Sequence, residues 1–150
     1  MTRPAELTTF LDMDAVTVAI ALAGLVLAAT LLGVLHRVSQ GRARTVAGSP
    51  VVRLDGVVLG DRATLLQFSS EVCTPCRATA RVLDDLAARV EAVAHVELDV
   101  ARRPELASRF HVLQTPTTLI LDADGAVRSR MGGAVRRDVV LAELERVLAA

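Results

Sequence analysis

Cys73 and Cys76 are the only thiols in this 150-residue chain, and they stand in the run Cys73-Thr74-Pro75-Cys76. At that spacing the second sulfur lies one helical turn beyond the first, and the pair can exchange between dithiol and disulfide. A disulfide closing so short a loop restrains the unfolded chain very little, so it is not a useful staple for a fold. A secreted disulfide scaffold would carry more cysteines, spread along the sequence. Besides redox chemistry, the spacing fits two buried structural thiols, or half of a zinc or iron–sulfur site. The latter needs a dimer or added His ligands to complete four-coordination.

Placement decides how the pair can react. Thr64–Phe68 reads as a strand, an almost continuous apolar run that ends in Ser69-Ser70. From Cys73 to Val90 the spacing turns helical, with Val82, Leu83, Leu86 and Val90 on one face. The cysteines therefore open a helix, where free backbone N–H groups and the dipole favour negative charge. Cys73 is expected to ionise more readily than a free thiol and to attack a disulfide as the thiolate. Cys76, deeper along the helix, is placed to resolve the mixed disulfide. Pro75 falls in the first turn, where proline is tolerated and stiffens the loop.

The elements that must hold this junction alternate strand and helix. Val51–Leu54 reads as a first strand and Val93–Val100 as the strand after the helix. Pro104 suits the start of a short helix through Phe110, because its missing N–H is not needed there. Thr117–Leu121 is a strand, Asp122-Ala123-Asp124-Gly125 a turn, and Val127–Met131 the returning strand. Arg136 to Leu148 closes the chain as a helix with Leu141, Leu144 and Leu148 toward the core. The order β-β-α-β-α-β-β-α predicts an α/β sandwich: a mixed central sheet, helices on both faces and a final hairpin.

With the motif and this order in hand, residues 51–150 resemble the thioredoxin family. A third feature carries the resemblance: Thr115-Pro116-Thr117 just before the penultimate strand. The resemblance implies a thioredoxin-like fold and a protein-disulfide oxidoreductase in which Cys73 and Cys76 are catalytic, with no cofactor and no metal. It implies protein disulfides as substrates and a separate reductase that recycles the dithiol. It further implies that Pro116 follows a cis peptide bond and packs beside the cysteines, bounding a groove where substrate main chain docks against Thr115. Gly132 and Gly133 fall where the family lets a partner chain approach closely; on the residues alone they read equally well as turn glycines.

Three positions depart from the family pattern. Val72 stands where an aromatic residue usually precedes the first cysteine. Gln67 replaces the buried acid that helps deprotonate the resolving cysteine, and an amide cannot act as a base at neutral pH. Glu97 stands in place of the lysine that faces that acid. These departures support a second reading, a non-catalytic binding module held at a membrane. The other polar candidates are bland. His95 and His111 read as surface or structurally satisfied residues, and His36 as a ring at a membrane edge. Glu71 reads as a solvated charge that Arg77 can offset.

From Ala15 to Leu35 the chain carries no charged residue, and a helix over that stretch spans about 30 Å, the thickness of a bilayer core. A cleaved signal would have a basic leader and a shorter apolar core. Here the leader, residues 1–14, has Glu6, Asp12 and Asp14 against Arg3, while Arg37, Arg42 and Arg44 follow the span. The sequence predicts an uncleaved single-pass anchor at 15–35 surrounded by membrane lipid, then a linker, 36–50, interrupted by Gly41, Gly48, Ser49 and Pro50. The domain follows at 51–150. Positive charge on the C-terminal side places residues 36–150 in the cytoplasm, where reducing conditions favour a reductase. The formal net charge is +0, and no basic cluster suggests a nucleic-acid partner.

Overall fold

The computed structural model describes residues 15–39, 41–45, 51 and 58–150. The chain divides into two units after Ser39. The first contains one helix, α1 (Ala15–Ser39). By length and composition α1 is able to cross a bilayer over Val16–Arg37. Most of its described Leu, Val and Ile side chains are exposed, Ile20, Leu25 and Leu32 among them. An apolar surface on all sides suits lipid or a protein interior, not water.

The second unit is built on a five-stranded sheet. Its strands are β1 (Ala43–Thr45), β2 (Ala63–Ser69), β3 (Val93–Asp99), β4 (Thr117–Asp122) and β5 (Val127–Gly132), in the spatial order β1-β5-β4-β2-β3. Only β2 and β3 run parallel; the other pairs are antiparallel. The helices are α2 (Thr74–Arg89), α3 (Pro104–Arg109) and α4 (Arg137–Leu148).

Every residue of β2 is buried, because both of its faces are covered. On one face Ala63 and Leu65 pack with Leu83 and Leu86 of α2 and with Val140, Leu144 and Val147 of α4. On the other, Leu66 and Phe68 pack with Leu106, Phe110 and Leu119. Each of these Leu, Val and Phe side chains contributes roughly 1.5–3 kcal/mol when fully buried. The site-bearing strand is thus packed on both faces. The expected mixed sheet, helices on both faces and final hairpin are present. On α4, Leu144 is buried as expected, but Val140 and Val147 take the other fully buried places and Leu141 and Leu148 are only partly covered.

The first strand differs from the sequence reading. The sheet begins at β1, inside the stretch expected to be linker. Ala43, Arg44 and Thr45 pair with Met131, Arg130 and Ser129. A short edge strand held by main-chain bonds, with two of its three side chains exposed, leaves no apolar run to read. Gly41, at φ 69°, turns the chain into it and donates its N–H to Gly132 O at 2.8 Å. Val51, expected to open a strand, makes a single antiparallel bridge to Ala126. The rest of that expected strand, 52–54, lies outside the described residues, as does the leader.

Candidate functional site

β2 delivers the chain to the head of α2. Ser70 O accepts the Cys73 N–H at 3.1 Å, and Cys73 is the N-cap of α2, in an extended conformation (φ −91°, ψ 100°). Pro75 sits in the first turn, where its fixed φ suits the helix and no N–H is missed. Cys73 and Cys76 are joined as a disulfide, S–S 2.06 Å, with their Cα atoms 5.2 Å apart. The Cys76 N–H lies 3.1 Å from Cys73 Sγ. The two halves of this disulfide differ in access: Cys73 is partly exposed, whereas Cys76 is 1% exposed. An incoming thiolate can therefore approach the Cys73 side, and reduction leaves Cys73 Sγ beside a helix N-terminus that favours its charge.

Pro116 follows a cis peptide bond from Thr115, as the family resemblance implied. Thr117 pairs with Phe68 on one side and Gly132 on the other. Pro116 is therefore the next residue out along β4, at the end of the sheet where Ser69 leads into the cysteine loop. Its carbonyl accepts the Gly133 N–H at 2.8 Å, and Thr117 Oγ1 donates to Gln114 O at 2.8 Å. Pro116 is buried and Thr115 half-buried. The two glycines have separate jobs. Gly133, at φ 82°, makes the turn. Gly132 lies in β5, and a Cβ there would sit 2.6 Å from Gln114 Nε2, so this chain's own glutamine occupies the close approach.

Beneath the helix start lies Gln67, fully buried. Its Nε2 donates to Cys76 O at 3.0 Å and to Glu97 Oε1 at 3.4 Å. Gln67 and Glu97 are register partners across β2 and β3. Glu97, itself exposed, thus contacts the site through Gln67. Glu71 pairs with Arg102 at 3.5 Å, and Arg77 instead donates to Thr74 Oγ1 at 3.2 Å. Both members of the Glu71–Arg102 pair are exposed, so it contributes little. These charges border an open cleft of about 460 Å³ whose lining includes Ser69, Ser70, Glu97 and Arg103. Val72 (93% exposed) and Leu113 (94%) present bare apolar surface on the cysteine loop and on the loop before Thr115.

His95 lies apart from the cysteines, its Nδ1 2.6 Å from Asp84 Oδ1, a structural contact between β3 and α2. His111 is exposed at φ 48°. Arg130 escaped the sequence reading altogether. Its guanidinium donates to the carbonyls of Phe110 and His111, fixing the start of the loop that ends in Thr115-Pro116. Burial lowers its pKa from the usual arginine value. Nothing local marks such a residue, since its partners are main-chain atoms on a distant loop.

A Thioredoxin family model matches residues 53–146. The thioredoxin of Mycobacterium bovis is 36% identical over 93 residues, which make up 61% of this chain and 79% of the relative. That of Mycolicibacterium smegmatis is 37% identical over 95 residues, 61% of this chain and 84% of the relative. Among solved structures, Fasciola hepatica thioredoxin superposes with a TM-score of 0.52 at 26% identity, covering 58% of this chain and 82% of that one. The matched span holds Cys73, Cys76 and Pro116, and on that ground the chain belongs to the thioredoxin family of thiol–disulfide oxidoreductases.

Proposed function

We propose that this protein reduces protein disulfides beside a membrane, to whose cytoplasmic face residues 15–35 tether it. The observation that carries the chemistry is the unequal access within one disulfide, Cys73 partly exposed and Cys76 buried at the head of α2. The Cys73 thiolate attacks a partner disulfide, a mixed disulfide forms, and one partner sulfur leaves as thiolate. Cys76 then attacks Cys73 Sγ, closes the intramolecular disulfide and releases the second partner thiol. Two electrons pass to the partner, and a separate reductase returns them. Thr115 and Pro116 bound the groove for the partner's main chain; Thr74 and Pro75 shape the loop between the sulfurs.

The tether is supported by the apolar, exposed surface of α1 and by the arginines that follow it. In this division, residues 1–14 are a leader, 36–50 a linker into which β1 extends, and 51–150 the thioredoxin-like domain.

The test uses the full-length chain in detergent, equilibrated in graded thiol–disulfide buffers, alkylated and weighed. A reversible Cys73–Cys76 disulfide near about −270 mV supports a reductase, and one near about −120 mV an oxidant. If no disulfide forms across that range, exchange is lost and the binding-module reading, favoured by Gln67 and Val72, replaces it. For the tether, a reporter fused to Ala150 that works only after export would reverse the orientation if active. A mass short of the N-terminal stretch would make α1 a cleaved leader.

A further inference from the structure

Gln67 carries an unexplained atom. Its amide is fully buried, and the assignment of its two ends is dictated by the partners, since Nε2 faces a carbonyl and a carboxylate oxygen, both acceptors. The other end, Oε1, is a buried acceptor with no hydrogen-bond partner among the described residues. A carbonyl oxygen left so costs free energy unless some state of the protein supplies a donor. The buried hydroxyls of Thr79, Thr118 and Ser129 and the His95 Nε2 do not supply it; among the described residues these atoms too make no hydrogen bond.

The donor can come from Cys76. In the disulfide its sulfur has no proton. Reduction creates an S–H on this buried residue, whose main-chain oxygen already holds the Gln67 amide at 3.0 Å. Gln67 shares its face of β2 with Leu65, the face α2 covers, and its Nε2 on Cys76 O sets the amide group against the first turn of the helix. The ionisable groups bordering this region are Glu97 and Asp99 of β3, Glu71 and Arg77 of the cysteine loop and helix, and Arg102 and Arg103 after β3. All of them line the open cleft; on the same face of the sheet, outside the cleft, His95 of β3 meets Asp84 of α2 at 2.6 Å.

We infer that Gln67 Oε1 accepts the Cys76 S–H in the reduced enzyme and holds the resolving cysteine as a neutral thiol. An amide oxygen stabilises the protonated sulfur and opposes the thiolate, the reverse of what a basic group would do there. Resolution then requires the Cys76 proton to leave to water. The sulfur's electron pair forms the Cys73–Cys76 bond as the partner sulfur departs with the old bonding pair and takes up a proton from solvent. Gln67 thereby lengthens the life of the mixed disulfide and favours the dithiol state. This rests on the exchange reading above.

The experiment isolates the one thiol. Full-length Cys73→Ser protein carries only Cys76, and its infrared S–H stretch reports hydrogen bonding without further mutation. The band is expected below the free-thiol frequency, and Gln67→Met should return it there. Gln67→Met should also lower the Cys76 titration midpoint by about one pH unit. In protein retaining both cysteines it should speed decay of the mixed disulfide about tenfold at neutral pH. A free-thiol band in the Gln67 protein overturns the inference, as does a band that moves with Thr118→Val instead. An unchanged or raised midpoint in folded Gln67→Met does the same. The S–H band reads Gln67 whether or not the enzyme turns over, and turnover of the unmodified chain reads the exchange mechanism, so the two failures are separable.

Discussion

The main-chain N–H of Cys76 stands 3.1 Å from Cys73 Sγ, so the buried cysteine's backbone serves the exposed cysteine's sulfur. That contact survives replacement of the Cys76 side chain, whereas in Cys73→Ser it falls on a hydroxyl that does not ionise at neutral pH. Cys73→Ser should abolish disulfide reductase turnover, because the thiolate itself is missing. Cys76→Ser should still attack and should accumulate partner proteins as mixed disulfides, visible as bands that collapse on reduction. Full reductase activity in Cys73→Ser would refute the mechanism.

Val72 is 93% exposed beside Cys73, so its methyl groups add little to the folded core. If partners cover it, Val72→Ser should raise KM for a protein disulfide several-fold, up to about tenfold for roughly 1.4 kcal/mol of lost burial. Thermal stability should not change. Reduction of a small disulfide too short to reach Val72 should proceed at the original rate, and a loss shared by both substrates would point to damage at the cysteines instead.

Asp122 ties the β4–β5 hairpin. Its Oδ1 accepts from Ala126 N at 2.8 Å and Asp124 N at 3.1 Å, and its Oδ2 meets Arg128 Nε at 2.6 Å. Burial disfavours its charge, but Arg128 and those N–H groups outweigh it and hold the carboxyl below its usual pKa. A carboxyl lowered on folding adds stability that is fully present above the unfolded value, about 3.9, and lost as pH falls through the folded one. Asp122→Ala should cost about 1.5–3 kcal/mol at neutral pH in denaturant titrations. The gap between variant and parent should narrow as the medium is acidified below about pH 4. A gap constant with pH would show that charge is not what Asp122 contributes.

Gly41 is a backbone requirement. It sits at φ 69°, and a Cβ added there would lie 2.6 Å from Ala134 O. Gly41→Ala should destabilise the domain by at least about 1–2 kcal/mol, the cost of left-handed backbone for an L-residue. Hydrogen exchange at Gly41, whose N–H donates to Gly132 O, should quicken first if β1 detaches before the rest. Unchanged exchange and melting would mean that β1 does not depend on this turn.

Short-range chemistry made much of this molecule legible from its residues. The apolar run at Thr64–Phe68, the helical spacing after Cys73 and the prolines at 75 and 104 are local signals. Each fell within a few residues of the element it implied. The cysteine pair and Thr115-Pro116-Thr117 are legible for the same reason: spacing within a turn needs no knowledge of the rest of the chain. Strand β1 was invisible because Ala-Arg-Thr at a sheet edge has no periodicity, only a partner 86 residues away in β5.

By itself, then, the sequence determined the redox pair, the strand-to-helix junction that presents it, the apolar helix before it and the kind of fold. The tertiary structure alone decided how far Cys76 is buried and that Glu97 contacts the site through Gln67. It also set Gln114 against Gly132 and Arg130 on the carbonyls of Phe110 and His111. The physical reason is common to all of these. Burial and side-chain partners are properties of surfaces brought together from distant parts of the chain, and a buried amide or guanidinium acquires its role only from the atoms that packing leaves within reach.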